Sequence, residues 1–279
     1  MLIQRLLAAI VLIPLVIICL FFLPLHGFLI AMAVICALSA WEWAQFLHIK
    51  SVKSKLLFAI GFTCFVAAIY FLSISSMYIE TIFKTILLLS IVWWLVALVL
   101  VATYPNSLRF WQNNIAKVLF ACCTLIPFVF GMITLRGVYY YADTFHGAFL
   151  LLYVLVLVWA TDSGAYFAGR AFGKHKLAPS VSPGKTIEGF IGGVALALVV
   201  SVIVYVSGYF TISFSNMMIS SIFAILVSVL GDLTESMFKR EANIKDSGHL
   251  IPGHGGILDR IDSLTAAIPV FAAVSLYIL

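Results

Sequence analysis

The sequence predicts an all-α, polytopic integral membrane protein with about nine transmembrane helices. Of its 279 residues, 64% are hydrophobic and only 10% are charged, and the mean hydropathy is +1.17. A soluble domain carries about 25% charged residues, so this chain cannot cover a water-facing surface. Its apolar runs have about the length needed to cross a bilayer, which is roughly 20 residues. They are continuous rather than alternating, which argues against the strands of a membrane barrel.

Nine apolar runs follow one another along the chain, separated by short polar or proline-containing breaks. They lie at about 6–23, 28–47, 56–74, 86–104, 115–134, 147–167, 187–209, 214–231 and 264–279. Eight or ten helices remain as alternatives. The first run follows Arg5 and lacks a small-residue cleavage site at its end, so we expect a retained helix rather than a signal peptide.

The cationic residues predict the orientation of these helices. Fourteen of the sixteen Lys and Arg residues precede the first run or lie in the gaps after the second, fourth, sixth and eighth runs. The opposite gaps contain only Lys84 and Arg136. Because cationic loops stay on the cytoplasmic side, we expect a cytoplasmic N-terminus. The membrane in which we expect the protein is the inner (cytoplasmic) membrane. The two polar loops, 168–186 and 232–262, then also lie on the cytoplasmic side.

Polar residues divide the chain into two parts. We expect residues 1–140 to form an apolar framework of helices, and residues 141–279 to form a candidate catalytic region that contains both polar loops. Glu42 is the exception in the framework, since an intramembrane acid is a functional candidate by default. It lies near a predicted cytoplasmic helix end, beside two tryptophans. We therefore favour an interfacial anchor or a hydrogen bond between helices.

The segment 232–262 has the composition required for metal-assisted phosphate chemistry. It holds six of the eleven carboxylates, together with cations and several glycines. Asp232 is followed one helical turn later by Glu235 and Ser236, so these three can share a helix face. Asp259 and Asp262 are also three residues apart, where we expect the last helix to begin. Acids from two helix ends could hold a divalent ion on oxygen ligands.

Two further polar sites precede this segment. Asp162 lies at the predicted cytoplasmic end of the sixth run, where it could face a metal, cap a helix or pair with Arg170. In loop 168–186 we expect a helix to begin at Ser182-Pro183, so that its free amides and Lys185 form an anion site. A local salt bridge with Lys185 is the simplest role for Glu188.

The run from Ser236 to Asp262 resembles the signature of CDP-diacylglycerol synthases (phosphatidate cytidylyltransferases). The resemblance rests on Ser236, Lys239-Arg240, Lys245-Asp246, Gly248, Pro252, His254-Gly255-Gly256, Asp259-Arg260 and Asp262. Ser182-Pro183, Lys185-Thr186, Glu188 and Asp162 are similar to that family too. These motifs cover about the last 120 residues, and the rest is similar only in hydropathy.

The resemblance implies transfer of a cytidylyl group from CTP to phosphatidic acid, with Mg²⁺, to give CDP-diacylglycerol and pyrophosphate. The implied metal ligands are Asp162, Asp232, Asp259 and Asp262, with Asp246 as a further candidate. The implied catalytic residues are Lys239, Arg240, Lys245, Asp246, His254 and Arg260. The implied substrate-binding residues are Ser182, Lys185, Thr186, Glu188, Ser236, Gly255 and Gly256.

Two other functions stay open at this point. A CTP-dependent polyprenol or dolichol kinase would transfer the γ-phosphoryl group instead. An ion-coupled transporter would use intramembrane carboxylates, but it predicts polar residues near mid-membrane in paired repeats. We expect the lipid bilayer and the two substrates as partners and no nucleic acid, and the sequence leaves a homodimer open.

Overall fold

Helices form most of the computed structural model, which describes the backbone of residues 2–250 and 255–279 and the side chains of residues 10–250 and 255–279. The helices are α1 (Leu2–Ile17), α2 (Leu25–Trp43), α3 (Val52–Ile74), α4 (Ile79–Ala102), α5 (Leu108–Trp111), α6 (Asn114–Gly137), α7 (His146–Phe172), α8 (Ile187–Val206), α9 (Phe214–Glu241) and α10 (Leu258–Ala273). Helices α1 and α10 continue into short π-helical turns, Ile18–Phe22 and Val274–Ile278.

The predicted class of an all-α polytopic membrane protein is confirmed. In the part of the chain that the structure describes, eight helices are long and apolar enough to cross a membrane. These are α2, α3, α4, α6, α7, α8, α9 and α10 with its π-helical turn. The apolar helical stretch Ile10–Phe22 is shorter, so the count of nine crossings stays a prediction.

The segments that connect the helices contact one another in two groups, at opposite ends of the helices. At one end, the Lys117 ammonium group donates to the carbonyl of Phe46, after α2, and to the carboxylate of Glu241, at the end of α9. At the other end, Arg136 near the end of α6 donates to the carbonyl of Leu23, between α1 and α2. The gaps that were predicted to be cytoplasmic therefore meet at one end. Which side of the membrane this end faces stays a prediction.

A short β-hairpin lies where the sequence predicted only a loop and a helix start. Strands β1 (Lys176–Ala178) and β2 (Ser182–Thr186) pair antiparallel, with Ala178 opposite Ser182. The expectation of a helix beginning at Ser182-Pro183 is therefore wrong. Thr186 is the N-cap of α8 instead, and its hydroxyl accepts the Gly189 amide at 3.1 Å. Thr is a favoured N-cap, whereas Gly184 would weaken an extra turn before it.

The second polar loop is shorter than predicted. Helix α9 continues through Glu241 and α10 begins at Leu258, so the loop spans 242–257 rather than 232–262. Similarly, α7 continues to Phe172. Hydropathy falls where a helix leaves the apolar layer, but the backbone hydrogen bonds that define a helix continue beyond that point. The predicted start of the last helix near Asp259 is confirmed.

Helices α7 and α8 pack closely because glycines line their contact. A Cβ atom on Gly164 would lie 2.6 Å from the carbonyl oxygen of Gly192, and one on Gly193 would lie 2.5 Å from that of Thr161. Small residues allow such close approach between membrane helices. The packing places Asp162, on α7, beside the start of α8.

Candidate active site

A polar cavity of about 480 Å³ lies between α7, α8, α9 and the hairpin. Its volume falls in the range of ligand pockets, roughly 300–1,000 Å³. Its lining combines acids, cations and hydroxyl groups, which include Thr161, Asp162, Tyr166, Arg170, Lys185, Thr186 and Asp232. The cavity lies at the end of the molecule where the cationic gaps meet.

An ion pair joins β2 to α9 inside this cavity. The Lys185 Nζ atom lies 2.7 Å from Asp232 Oδ2, and both side chains are about one quarter exposed. Asp232 Oδ1 also accepts the hydroxyl of Ser236 at 3.3 Å, as their shared helix face predicted. The predicted salt bridge between Lys185 and Glu188 is wrong, because the strand geometry directs Lys185 to a helix 47 residues further along the chain.

Asp162 is exposed to the cavity from the interior of α7, not from the end of that helix. Its charge interacts with those of Asp232, Lys185 and Arg260. The alternative pairing of Asp162 with Arg170 is not seen, since the Arg170 guanidinium donates to the Tyr166 hydroxyl at 3.2 Å. The fold thus brings three separate parts of the sequence together around Asp162.

Asp262 adds a further acid to this group from the first turns of α10. Its charge interacts with those of Asp232, Glu235 and Lys239. Its Oδ1 atom accepts the Ser263 amide at 2.7 Å. Glu235 is buried, and its Oε1 atom has no hydrogen-bond partner among the described residues. This region therefore combines nearby acids with an unpartnered carboxylate oxygen.

Asp259 differs from Asp262 because both of its carboxylate oxygens already accept hydrogen bonds, one at Oδ1 and three at Oδ2. Oδ1 accepts the Lys239 ammonium group at 2.8 Å. Oδ2 accepts the amides of Ser247 and Gly256, each at 2.8 Å, and the Ser247 hydroxyl at 3.0 Å. Gly255 has a φ of +83°, and a Cβ atom there would collide with the same carboxylate. Asp259 therefore connects Ser247 and Gly256, which lie between α9 and α10, to the start of α10.

Glu42 is the residue that the sequence-based site missed. It is fully buried at the end of α2, and its carboxylate accepts the amides of Ile257 and Leu258, each at 2.8 Å. The Ser247 hydroxyl oxygen lies 3.0 Å from both carboxylates, and its one proton is donated to either Glu42 or Asp259. A Cβ atom on Gly256 would overlap the Glu42 carboxylate. The predicted hydrogen bond between helices is confirmed, but its partner is the N-terminus of the helix that carries Asp259 and Asp262.

The sequence signal that marks Glu42 is an acidic residue within an apolar run. Pairing it with residues 205–216 positions away required the fold.

The other predicted site residues occupy varied positions. Arg240 donates from Nε to the Val181 carbonyl at 3.1 Å and so ties the hairpin to α9. Lys239 bridges Asp259 and Glu235, the latter at 2.6 Å. Lys245 and Asp246 are exposed on the loop after α9.

Glu188 lies outside the cavity lining. It contacts the His175 ring at 2.6 Å and accepts the amides of Lys174 and His175. Ser182 is half-buried in β2. His254 and the Pro252-Gly253 pair lie outside the described residues.

The described residues contain no group of three or more His, Cys, Asp or Glu side chains placed to hold a metal ion by themselves. The acids of α7, α9 and α10 are nevertheless hard oxygen ligands of the type that Mg²⁺ prefers, and Mg²⁺ commonly takes only one or two carboxylates and completes its shell with phosphates and water. The donor set near Asp232 and Asp262, with the unpartnered Glu235 oxygen, fits that pattern.

A set of membrane-length helices with one polar cavity, lined by acids and cations at a single end, defines a polytopic membrane protein with a site suited to phosphate groups. Comparison with known proteins is consistent with this class. The model of the cytidylyltransferase family matches residues 3–278. The chain therefore belongs to the cytidylyltransferase family, as the signature predicted.

Two full-length relatives carry the same name. The chain is 47% identical to a phosphatidate cytidylyltransferase of Haemophilus influenzae, with 100% of both chains covered. It is 40% identical to a phosphatidate cytidylyltransferase of Pseudomonas aeruginosa, with 98% of this chain and 96% of the relative covered. A phosphatidate cytidylyltransferase of Bacillus subtilis is 45% identical over 124 residues, which is 44% of this chain.

Proposed function

We propose that this protein transfers the cytidylyl group of CTP to phosphatidic acid, giving CDP-diacylglycerol and pyrophosphate. The observation that carries the proposal is the ion pair between Lys185 and Asp232 in the polar cavity, beside Asp162. It provides a cation for phosphate oxygens and acids for a divalent ion at one end of the membrane helices. The family and the names of the full-length relatives support this reaction.

The chemistry requires neutralisation and alignment more than a strong base. The phosphate of phosphatidic acid is already an anionic nucleophile. Its oxygen attacks the α-phosphorus of CTP, a new P–O bond forms, and the bond between the α-phosphorus and the bridging oxygen breaks to release pyrophosphate. Holding the two reactants in line and offsetting their repulsion supplies most of the rate. We assign the phosphate oxygens to Lys185, which lines the cavity, and to Arg260, whose charge acts on Asp162.

Magnesium would be held by Asp232 and Asp262, with Asp162 as a third candidate, together with the phosphates of CTP. When bound, the ion would polarise phosphate oxygens and neutralise their charge. Asp259 belongs to the predicted metal ligands, but both of its oxygens already accept hydrogen bonds from Lys239, Ser247 or Gly256. We therefore propose for Asp259 the role of positioning Lys239 and the start of α10.

The proposed location of the site is the cytoplasmic face of the inner membrane, where CTP is available. The cation distribution supports this location, because fourteen of sixteen Lys and Arg residues precede the first run or belong to the gaps on the same side. Cationic segments of this kind stay cytoplasmic. Cysteines introduced near positions 175 and 248 should react with an impermeant reagent only from the cytoplasmic side. Labelling from outside at either position contradicts the topology. The proposal also includes a homodimer, in which the partner is a second copy of this chain.

A two-label assay tests the reaction itself. Purified protein with phosphatidic acid, Mg²⁺ and CTP labelled at the α-phosphate should give labelled lipid, and CTP labelled at the γ-phosphate should give labelled pyrophosphate only. The reverse pattern, with γ-label in the lipid, identifies a kinase instead. The Lys185→Ala variant serves as the control for transfer at this cavity.

A further inference from the structure

A second and larger cavity, of about 870 Å³, adjoins the polar one. It is bounded by α4, α9, α10 and the hairpin, and its lining is almost entirely apolar. Trp94 and Leu98 contribute from α4, Phe223 and Leu226 from α9, and Val274 from the turn after α10. We call it the apolar groove.

The apolar groove borders the polar cavity, and three residues line both. Leu177, Phe190 and Val229 line both. Val229 lies three residues before Asp232 on α9, so the two side chains occupy neighbouring positions on one helix face. The hairpin turn between β1 and β2 forms the wall of the groove at this polar end, and Arg240 ties that turn to α9 through Val181.

The apolar groove opens toward the lipid. Its lining residues Leu98, Phe223 and Leu226 are 52%, 48% and 42% exposed on helices that are long and apolar enough to cross a membrane. Along α9 the lining runs from Ile219 to Leu233. This stretch is about 21 Å long at roughly 1.5 Å per residue. One leaflet of the hydrocarbon core is about 15 Å thick, so the groove is as deep as a leaflet.

We propose that the apolar groove holds the acyl chains of phosphatidic acid while its phosphate lies at Lys185 in the polar cavity. This inference rests on the proposed function and adds the lipid-binding surface to it. The shared lining near Val229 is what joins the two parts of one amphipathic ligand. An apolar surface open to the bilayer beside a cationic cavity matches a substrate with two chains and one phosphate.

A matched pair of substitutions on α9 tests the groove. Leu226→Trp narrows it, whereas Ile222→Trp adds the same bulk at an exposed α9 residue, 39% exposed, that is outside its lining. With dioleoyl phosphatidic acid, Leu226→Trp should raise the KM for lipid at least about tenfold, and Ile222→Trp should not. With dihexanoyl phosphatidic acid the two variants should match the unaltered protein, and the KM for CTP should not change. Equal losses with both lipids, or equal losses in both variants, would overturn the proposal.

Photolabelling tests the same surface without turnover. Phosphatidic acid with a diazirine at the end of one chain should label peptides of 91–102 and 219–233, and excess dioleoyl phosphatidic acid should prevent this. Labelling spread evenly over other lipid-facing helices, such as α3, overturns the groove. If the groove is labelled but CTP gives no product, the proposed reaction fails and the lipid site stands.

A second copy of the chain is the other occupant to exclude. In a variant without native cysteines, Leu226→Cys should not form a disulfide between copies under mild oxidation. A disulfide-linked dimer at Leu226, but not at Ile222→Cys, would mean that protein rather than lipid covers the groove.

Discussion

Two groups of carboxylates lie at the same end of the molecule and differ in how their oxygens are satisfied. The capping cluster consists of Glu42, Ser247 and Asp259, and its carboxylates accept backbone amides, a hydroxyl group and the Lys239 ammonium group. The cavity cluster consists of Asp162, Lys185 and Asp232, which line the polar cavity, and of Asp262, which lies outside that lining but beside Asp232. Its acids interact with each other and with one close cation, Lys185.

The difference separates acids that hold the fold from acids that can hold a ligand. A buried carboxylate that accepts several amides is already stabilised and has few lone pairs left for a metal or substrate. Carboxylates that lie near one another and accept few hydrogen bonds repel each other, so the binding of an additional cation between them is favourable. Asp259 and Asp262 have the same side chain and both lie in the first turns of α10, so only their contacts in the fold distinguish them.

The largest expected effect is the loss of turnover in Asp262→Asn. The amide keeps the size of the side chain but removes charge from the cavity cluster, so product formation should fall by about 100-fold or more. The folded protein should persist, as judged by monodispersity in detergent. CTP-dependent conversion of phosphatidic acid across a Mg²⁺ series checks this. A well-folded variant with near-normal turnover at low Mg²⁺ contradicts a metal role for Asp262.

The next effect concerns stability, in Glu42→Ala. The change leaves the backbone amides of Ile257 and Leu258 without their acceptor. A buried donor that loses its acceptor costs about 1–3 kcal/mol. The midpoint of thermal unfolding in detergent should fall clearly, whereas the exposed Glu80→Ala control should leave it unchanged. If the midpoint holds while activity disappears, Glu42 belongs with the catalytic acids.

A smaller effect is expected when Lys185→Ala is compared with Lys176→Ala. Lys185 lines the polar cavity, whereas Lys176 is exposed on β1. Loss of one charge-assisted contact costs about 1.5–3 kcal/mol, so the apparent affinity for CTP or phosphatidic acid should weaken about tenfold or more in Lys185→Ala only. Steady-state KM values for both substrates provide the measurement. Equal and negligible changes would reduce Lys185 to a marker of topology.

The smallest effect is expected for Glu188→Gln. Glu188 was predicted to bind substrate, but it lies outside the cavity lining and pairs with the exposed His175. Exposed ion pairs contribute little, so kcat/KM should change by no more than about twofold. Lys185→Ala, measured in parallel, gives the reference for a cavity residue. A loss in Glu188→Gln as large as in that variant would return Glu188 to the substrate site.

The sequence predicted the helices better than the contacts between them. Apolar length and continuity are local properties, and each of the nine runs overlaps a helix of the structure. The hairpin was missed because Ser182–Thr186 lacks the alternating pattern of a strand and contains both Pro and Gly. The ion pair of Lys185 with Asp232 and the cap from Glu42 to Leu258 join distant segments. No local pattern specifies such pairs.

The acids and cations of the site were found because ionised groups are rare in an apolar chain. Their division into the capping and cavity clusters was not found, because it depends on which amides point at which carboxylate. Asp259 shows this most clearly, since the turn at Gly255 and the amide of Gly256 decide its role.

The contact between Lys185 and Asp232 makes two binding events dependent on each other. An anion that draws Lys185 away leaves Asp232 without its counter-charge and raises its affinity for a cation. A cation that takes Asp232 frees Lys185 and raises the affinity for an anion by the same factor, since thermodynamic linkage is reciprocal. If the proposed magnesium and nucleotide sites are occupied, this ion pair of 2.7 Å between a strand and a helix would make their binding cooperative.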